Sequence, residues 1–169
     1  EYLSDRGPSA PVSPLGLDVV QHLKKEAPIQ AGISFLQQRS IAKISDRYTK
    51  ASILCGPLRW GSGYHRVRGE NLNIDPNLFM FHFGSVDKSI SHRRAADADR
   101  VAEGWSAHQK RRDALFDEIS ESTPIDGDVR FASARVEMAK KRRLLAWNKP
   151  GPLKSDALIK IPDRFSDIV

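Results

Sequence analysis

A mixed α/β fold is predicted, with a few strands in the first half of the chain and helices in the second. Between Leu15 and Phe83 the apolar residues come in short runs bounded by Gly, Pro and Asn, the pattern of strands and turns. From Ser85 onward they recur at helical spacing over much longer stretches. The composition, 40% hydrophobic and 28% charged over 169 residues, suits one folded core and does not suit a disordered chain. A single domain is therefore expected over 1–169, strand-rich over 1–84 and helical with a short tail over 85–169.

Residues 1–14 carry Gly7, Pro8, Pro11 and Pro14, a loop composition. Leu15 to Val20 (LGLDVV) reads as a strand, and His22 to Gly32 as a polar connection broken by Pro28 and Gly32. Ile33 to Arg39 suits a helical turn, and Tyr48 to Cys55 (YTKASILC) a strand that stops at Gly56-Pro57. Asn73 to Asn77 reads as a turn built on Asp75-Pro76. Leu78 to Phe83 has the apolar density of a central strand covered on both faces.

Ser85 is then the expected helix N-cap, with Asp87 in the first turn where the helix dipole favours an acid. Val86, Ile90, Val101, Trp105, Leu115 and Ile119 fall on one helical face. The spacing predicts one helix over 85–122, or two with a break near Gly104. Pro124 to Gly127 reads as a turn, after which Asp128 caps a further helix with Val129, Ala132, Val136 and Ala139 on its apolar stripe. Trp147 lies near the end of that helix, and Lys149-Pro150-Gly151-Pro152 terminates it. The tail, 158–169, should pack through Ile159, Ile161 and Phe165.

Charge and cysteine content narrow the function classes. Lys and Arg outnumber Asp and Glu by 27 to 21, which favours anionic partners such as phosphates, nucleotide sugars or nucleic acid. The single Cys55 excludes an internal disulfide and a multi-cysteine metal site. No apolar run approaches the roughly 20 residues of a membrane span, and no signal-peptide pattern opens the chain. A cytoplasmic location is expected. The chain begins Glu1-Tyr2-Leu3 without a Met, so a segment of a longer protein is also expected.

Chemistry concentrates between Pro57 and Asp87. In Trp60-Gly61-Ser62-Gly63-Tyr64-His65 the glycines let backbone approach a ligand, and the aromatic rings offer flat faces to a sugar or base. The competing reading is a tight turn with ordinary aromatic packing. His82 lies inside the apolar strand, where its ring nitrogens need a partner, either a metal or a carboxylate. His65 and His82 would converge if the loop folded back over the strand end, yet two histidines fall short of a typical zinc site. The competing reading is a satisfied core histidine. The basic runs Lys110-Arg111-Arg112 and Lys140-Lys141-Arg142-Arg143 suit phosphate contacts in principle. Their helical spacing fits a solvated face better, and no nucleic-acid-binding signature accompanies them.

Several segments together resemble the C-terminal half of bacterial glycosyltransferases of the family 2 type, which have a GT-A fold. They are LGLDVVQ (15–21), LQQRSIAKISDRYTKASIL (36–54), LRWGSGYHRV (58–67), IDPNLFMFHFGSVD (74–87) and KIPDRFSDIV (160–169). The resemblance implies a partial GT-A-like mixed sheet followed by a helical region. It implies transfer of a sugar from a nucleotide-activated donor to the hydroxyl of a sugar or glycan acceptor. In such enzymes an Asp-x-Asp motif holds a divalent metal, Mn or Mg, against the donor diphosphate, and a later histidine often completes the site. His65 or His82 matches that histidine. Trp60, Gly61, Gly63 and Tyr64 would line the substrate side, with Asp87 an outer carboxylate or a helix cap. The triplets Asp97-Ala98-Asp99 and Asp126-Gly127-Asp128 do not follow a donor-site strand, so the metal motif is expected upstream of Glu1, and the chain alone is expected to be inactive. The alternative is a non-enzymatic basic helical module that binds nucleic acid or a protein.

Overall fold

The computed structural model describes residues 11–53, 56–57, 59–61, 67–68, 72–102, 104–140 and 147–168. In chain order its strands are β1 (Ser13–Val20), β2 (Ile41–Ile44), β3 (Val67–Arg68), β4 (Ile74–Ser85), β5 (Ile125–Asp126), β6 (Trp147–Asn148) and β7 (Leu158–Lys160). Its helices are α1 (Phe35–Gln38), α2 (Lys88–Ala95), α3 (Ala98–Ala102), α4 (Ser106–Glu121) and α5 (Gly127–Lys140). Five strands form a mixed sheet in the order β4-β1-β2-β7-β5, and β3 pairs with β6. β2 runs antiparallel to β7, and β5 runs parallel to it.

β1 is central because SPLGLDVV has apolar residues on both faces, and all eight of its residues are buried. Gly16 admits the crossing chain: a Cβ there would lie 2.3 Å from the Tyr48 carbonyl carbon. The Gly16 N–H donates to Thr49 Oγ1 at 2.9 Å, and that hydroxyl donates to the Ser45 carbonyl at 2.8 Å. This turn on Ser45 takes Tyr48 and Thr49 out of the strand expected over 48–55. Among its described residues only an isolated bridge from Ile53 to Val12 remains. The strand of this region is instead β2, whose IAKI alternation lies just upstream of the turn.

β4 departs from expectation in length and place. It runs through Asp75-Pro76, read as a turn, and it is an edge strand with most residues half-buried or exposed. Proline lacks an N–H to give a neighbour, so an edge tolerates it. Gln21 N–H donates to Ser85 O and Ser13 N–H to Asn73 O, so β4 runs parallel to β1.

Contacts divide the chain into two compact units. One gathers Glu1–Leu17, Ile44–Phe81 and Val129–Ala157, the other Asp18–Lys43, His82–Asp128 and Leu158–Val169. Neither coincides with the strand-rich and helical parts of the sequence.

In the first unit α5 buries Phe131, Ala134 and Met138. The Phe131 ring packs on Phe79 with centroids 4.8 Å apart, and the Arg135 guanidinium lies 4.8 Å over the Phe79 ring. The helical period was legible but its phase was not. Val129 and Val136, on the expected stripe, are 78% and 55% exposed. Two stripes with the same spacing compete on this helix, and the one with the larger apolar volume wins. The helix also starts at Gly127, not after an Asp128 cap, and Trp147 belongs to β6 rather than to its end. Arg130 pins the following segment, donating to the Ser155 and Asp156 carbonyls and to Glu137.

In the second unit α4 covers the sheet. Its Leu115, Phe116 and Ile119 form a buried cluster with Val20, Ile41 and Leu158. Each such side chain contributes about 1.5–3 kcal/mol by leaving water. Leu115 and Ile119 are as expected, whereas Val101 is 63% exposed. The helix expected over 85–122 is three helices. Gly104, at φ 75°, lies in the second break, and Asp97 closes the first by accepting the Asp99 N–H at 3.1 Å. β5 replaces the turn expected at 124–127. The tail packs as expected through Ile159, Ile161 and Phe165. Among the described residues no helix is long and apolar enough to cross a membrane.

Candidate functional site

A carboxylate in a central strand must be satisfied by a hydrogen-bond donor. Asp18 is the only charged residue of β1, and its Oδ1 lies 2.9 Å from His82 Nδ1 on the neighbouring β4. An aspartate carboxylate accepts, so Nδ1 carries the hydrogen. Gly84 N–H also points at Nδ1, but at 3.3 Å, and it cannot be accepted while that nitrogen donates to Asp18. The carboxylate wins on distance and on charge.

The pair spans a gradient from interior to surface. The Asp18 side chain is 12% exposed and that of His82 31%, so the buried carboxylate orients a ring that solvent reaches. Alternation along β4 sends Phe83 to the other face, where its ring meets Phe35 at 5.0 Å. The His82 ring folds back over Gly84: a Cβ at that glycine would lie 2.4 Å from His82 Cε1. Glycine is needed there for space.

Asp87 is buried and is the N-cap of α2, so the capping role moves to it from Ser85, the last residue of β4. One oxygen accepts from Ile90 N–H at 3.0 Å and Ser89 Oγ at 2.7 Å, and the other from Ile29 N–H at 2.9 Å. Burial pushes its carboxyl up, yet these donors together hold it below the ordinary value. Of its two expected roles, the helix cap is the one its contacts describe.

Arg39 gave no signal in the sequence, yet its side chain is 1% exposed. Its Nε donates to the Val86 carbonyl at 2.5 Å and its Nη1 to that of Gln38 at 2.6 Å, with Glu26 at 3.8 Å and Asp87 at 3.9 Å. Burial lowers its pKa while the two carboxylates oppose that shift. A second carboxylate–histidine pair, also missed, joins His92 Nε2 of α2 to Asp113 Oδ1 of α4 at 2.7 Å. Desolvation pushes Asp113 up, but the bonds from His92 and Gln109 bring it below its ordinary value.

The other expected site residues do not assemble into a described centre. Trp60 bridges Val67, and Gly61 follows it in the first unit. Gly63, Tyr64 and His65 lie outside the described residues, as do Lys141, Arg142 and Arg143 of the basic run. Lys110 and Arg111 are exposed and Arg112 is half-buried. Asp126 and Asp128 line an open hollow of about 330 Å³ with Asp163, Lys160 and Arg164, and Arg164 pairs with Asp128. Among the described residues no group of three His, Cys, Asp or Glu side chains is placed to hold a metal. Comparison of the chain with known protein families, with curated proteins and with solved structures finds no match.

Proposed function

We propose that the chain is the acceptor-side, C-terminal part of a GT-A-like glycosyltransferase that moves a sugar from a nucleotide-activated donor to an acceptor hydroxyl. The observation that carries this reading is the Asp18–His82 pair on the sheet edge. It falls within two of the segments that resemble such enzymes, LGLDVVQ and IDPNLFMFHFGSVD. The described residues fit one ligand of a divalent-metal site, His82 with Asp18 behind it, and do not make a whole site. A bound metal would supply Lewis-acid stabilisation of charge on the departing diphosphate. What the chain itself does is narrower: Asp18 holds the ring of His82 through Nδ1.

The test is turnover of a nucleotide sugar by the full-length protein, with His82→Ala and Asp18→Asn beside the native form. His82→Ala should abolish turnover, and Asp18→Asn should lower it about 10–100-fold, as loss of an orienting partner does. Native turnover in both variants, with only a lower melting temperature, would return the pair to the core.

The second reading, a basic binding module, draws on exposed Arg93 and Arg94 of α2 and Lys110 and Arg111 of α4, two helices that pack together. Binding to nucleic acid that weakens steeply with salt, without nucleotide-sugar turnover, would favour it.

A further inference from the structure

We propose that the outer face of α2 and α4 binds nucleic acid and that protonation of His92 strengthens this binding. The inference rests on the binding-module reading and adds its partner and its control. Lys88 Nζ lies 5.9 Å from the centre of the Phe116 ring, and Ser91 Oγ donates to Gln109 Oε1 at 3.2 Å, so the two helices run antiparallel. Arg93 and Arg94, at the end of α2, therefore lie toward the start of α4, where Lys110 and Arg111 stand. All four are exposed, and among the described residues their side chains have no ion-pair or hydrogen-bond partner. Of the four acids of α4, by contrast, Asp113 is held by His92, Glu118 by Lys43 and Glu121 by Lys24.

His92 precedes the two arginines, and its side chain is 50% exposed. Its Nε2 lies 2.7 Å from Asp113 Oδ1, and a carboxylate accepts, so Nε2 carries the hydrogen of the neutral ring. Nδ1 has no partner among the described residues and then holds a lone pair, which repels a phosphate oxygen. Protonation replaces that lone pair with an N–H donor and a positive charge, so the same atom attracts the oxygen. Asp113 stays ionised meanwhile. Burial pushes its carboxyl up, but the bonds from His92 and Gln109, with Lys88 nearby, hold it below its ordinary value. On α3 and α4, the helices packed against α2, the remaining charges are Asp99 with Arg100 and Arg112 with Asp117, which offset one another; His108 is the remaining imidazole. Among the described residues no large apolar side chain of α2 or α4 is exposed. A membrane surface or a protein partner would need such anchors, whereas a phosphodiester backbone needs only cations and donors. Arginine forks suit its oxygens. Nucleic acid is therefore the class assigned.

The test follows binding of a short labelled DNA duplex of arbitrary sequence to the 169-residue chain by fluorescence anisotropy, at about pH 8 and about pH 5.5, over a salt series. Affinity should rise about tenfold on acidification, as one charge-assisted contact is gained. The slope of log affinity against log salt should steepen by about one. His92→Gln should flatten the response to pH. Asp113→Asn should tighten binding at about pH 8 by removing the anion beside the ring. Arg94→Gln and Arg111→Gln should weaken binding at both pH values, and circular dichroism reports that each variant folds. An unchanged response to pH in a folded His92→Gln would overturn the control by His92 and leave the binding-module reading standing. No binding to the duplex at either pH would overturn nucleic acid as the partner. Binding to a polyglutamate peptide in its place would keep the module reading with a protein partner, and binding to neither would sink that reading too.

Discussion

β1 and β4 are neighbours in one sheet and both carry dense apolar sequence, but they live in different solvents. β1 is buried through all eight residues, while β4 lies on the edge with most of its twelve only half-covered. A central strand gives rigidity and no access; an edge strand gives access, and its placement must come from elsewhere. The Asp18–His82 bond joins the two kinds of strand. The fixed partner is the carboxylate, and the ring that reaches solvent is held by it. Reactive side chains gain from this division, because orientation and exposure need not come from the same residue.

The contrast breaks most visibly in stability. Leu17, fully buried in β1, should cost about 3 kcal/mol when changed to Ala, through lost transfer energy and the cavity left behind. Met80, half-buried on β4, should cost about 1 kcal/mol for the same truncation. Urea denaturation midpoints of the two variants decide it. Equal losses would mean that β4 is as much core as β1, and that the open edge is no edge in solution.

β1 itself was legible because its apolar residues leave no polar face, and the buried tail because Ile159, Ile161 and Phe165 had nowhere else to point. β4 was seen but misplaced: Leu78 to Phe83 reads as doubly covered, while strand order depends on pairing partners sixty or more residues away in the chain. The phase of α5 was undecided locally, since Val129 with Val136 and Phe131 with Met138 repeat at the same spacing. The contact with Phe79 selects one. His82 was singled out correctly as a residue that needs a partner. Its partner was invisible, because Asp18 sits in what reads as an interrupted apolar run. Arg39 and the His92–Asp113 pair carry no local pattern at all; only tertiary contact makes them special.

The end of β4 is set by Asp87, and this sharpens the comparison, since an edge strand with a fixed exit can still place His82. Asp87→Asn keeps the shape of the cap and removes its charge, at a cost of about 1 kcal/mol at neutral pH. The native carboxyl is held below its ordinary value. Its contribution is therefore full above about pH 4, the usual carboxylate value, and is lost as pH falls through the lower folded value. Stability curves of native and variant should converge in acid. A constant gap down to about pH 2 would mean that the cap works without its charge.

The smallest effect on stability is also the most direct probe of the seam between the strands. Asp18→Asn should change stability by about 1 kcal/mol or less, because an amide fills the same space and can still accept a hydrogen bond. The tautomer of His82 should nonetheless change. In the native protein the carboxylate at 2.9 Å demands hydrogen on Nδ1, overriding the Gly84 N–H at 3.3 Å. With a neutral amide that demand weakens, and Nδ1 can accept from Gly84 while the hydrogen moves to Nε2. Nitrogen-15 shifts of the ring distinguish the two forms above the pH at which the imidazole protonates. The native protein should show hydrogen on Nδ1, and the variant a mixture or the reverse. An unchanged tautomer would mean that β4 sets the ring by itself and that the central strand contributes only packing.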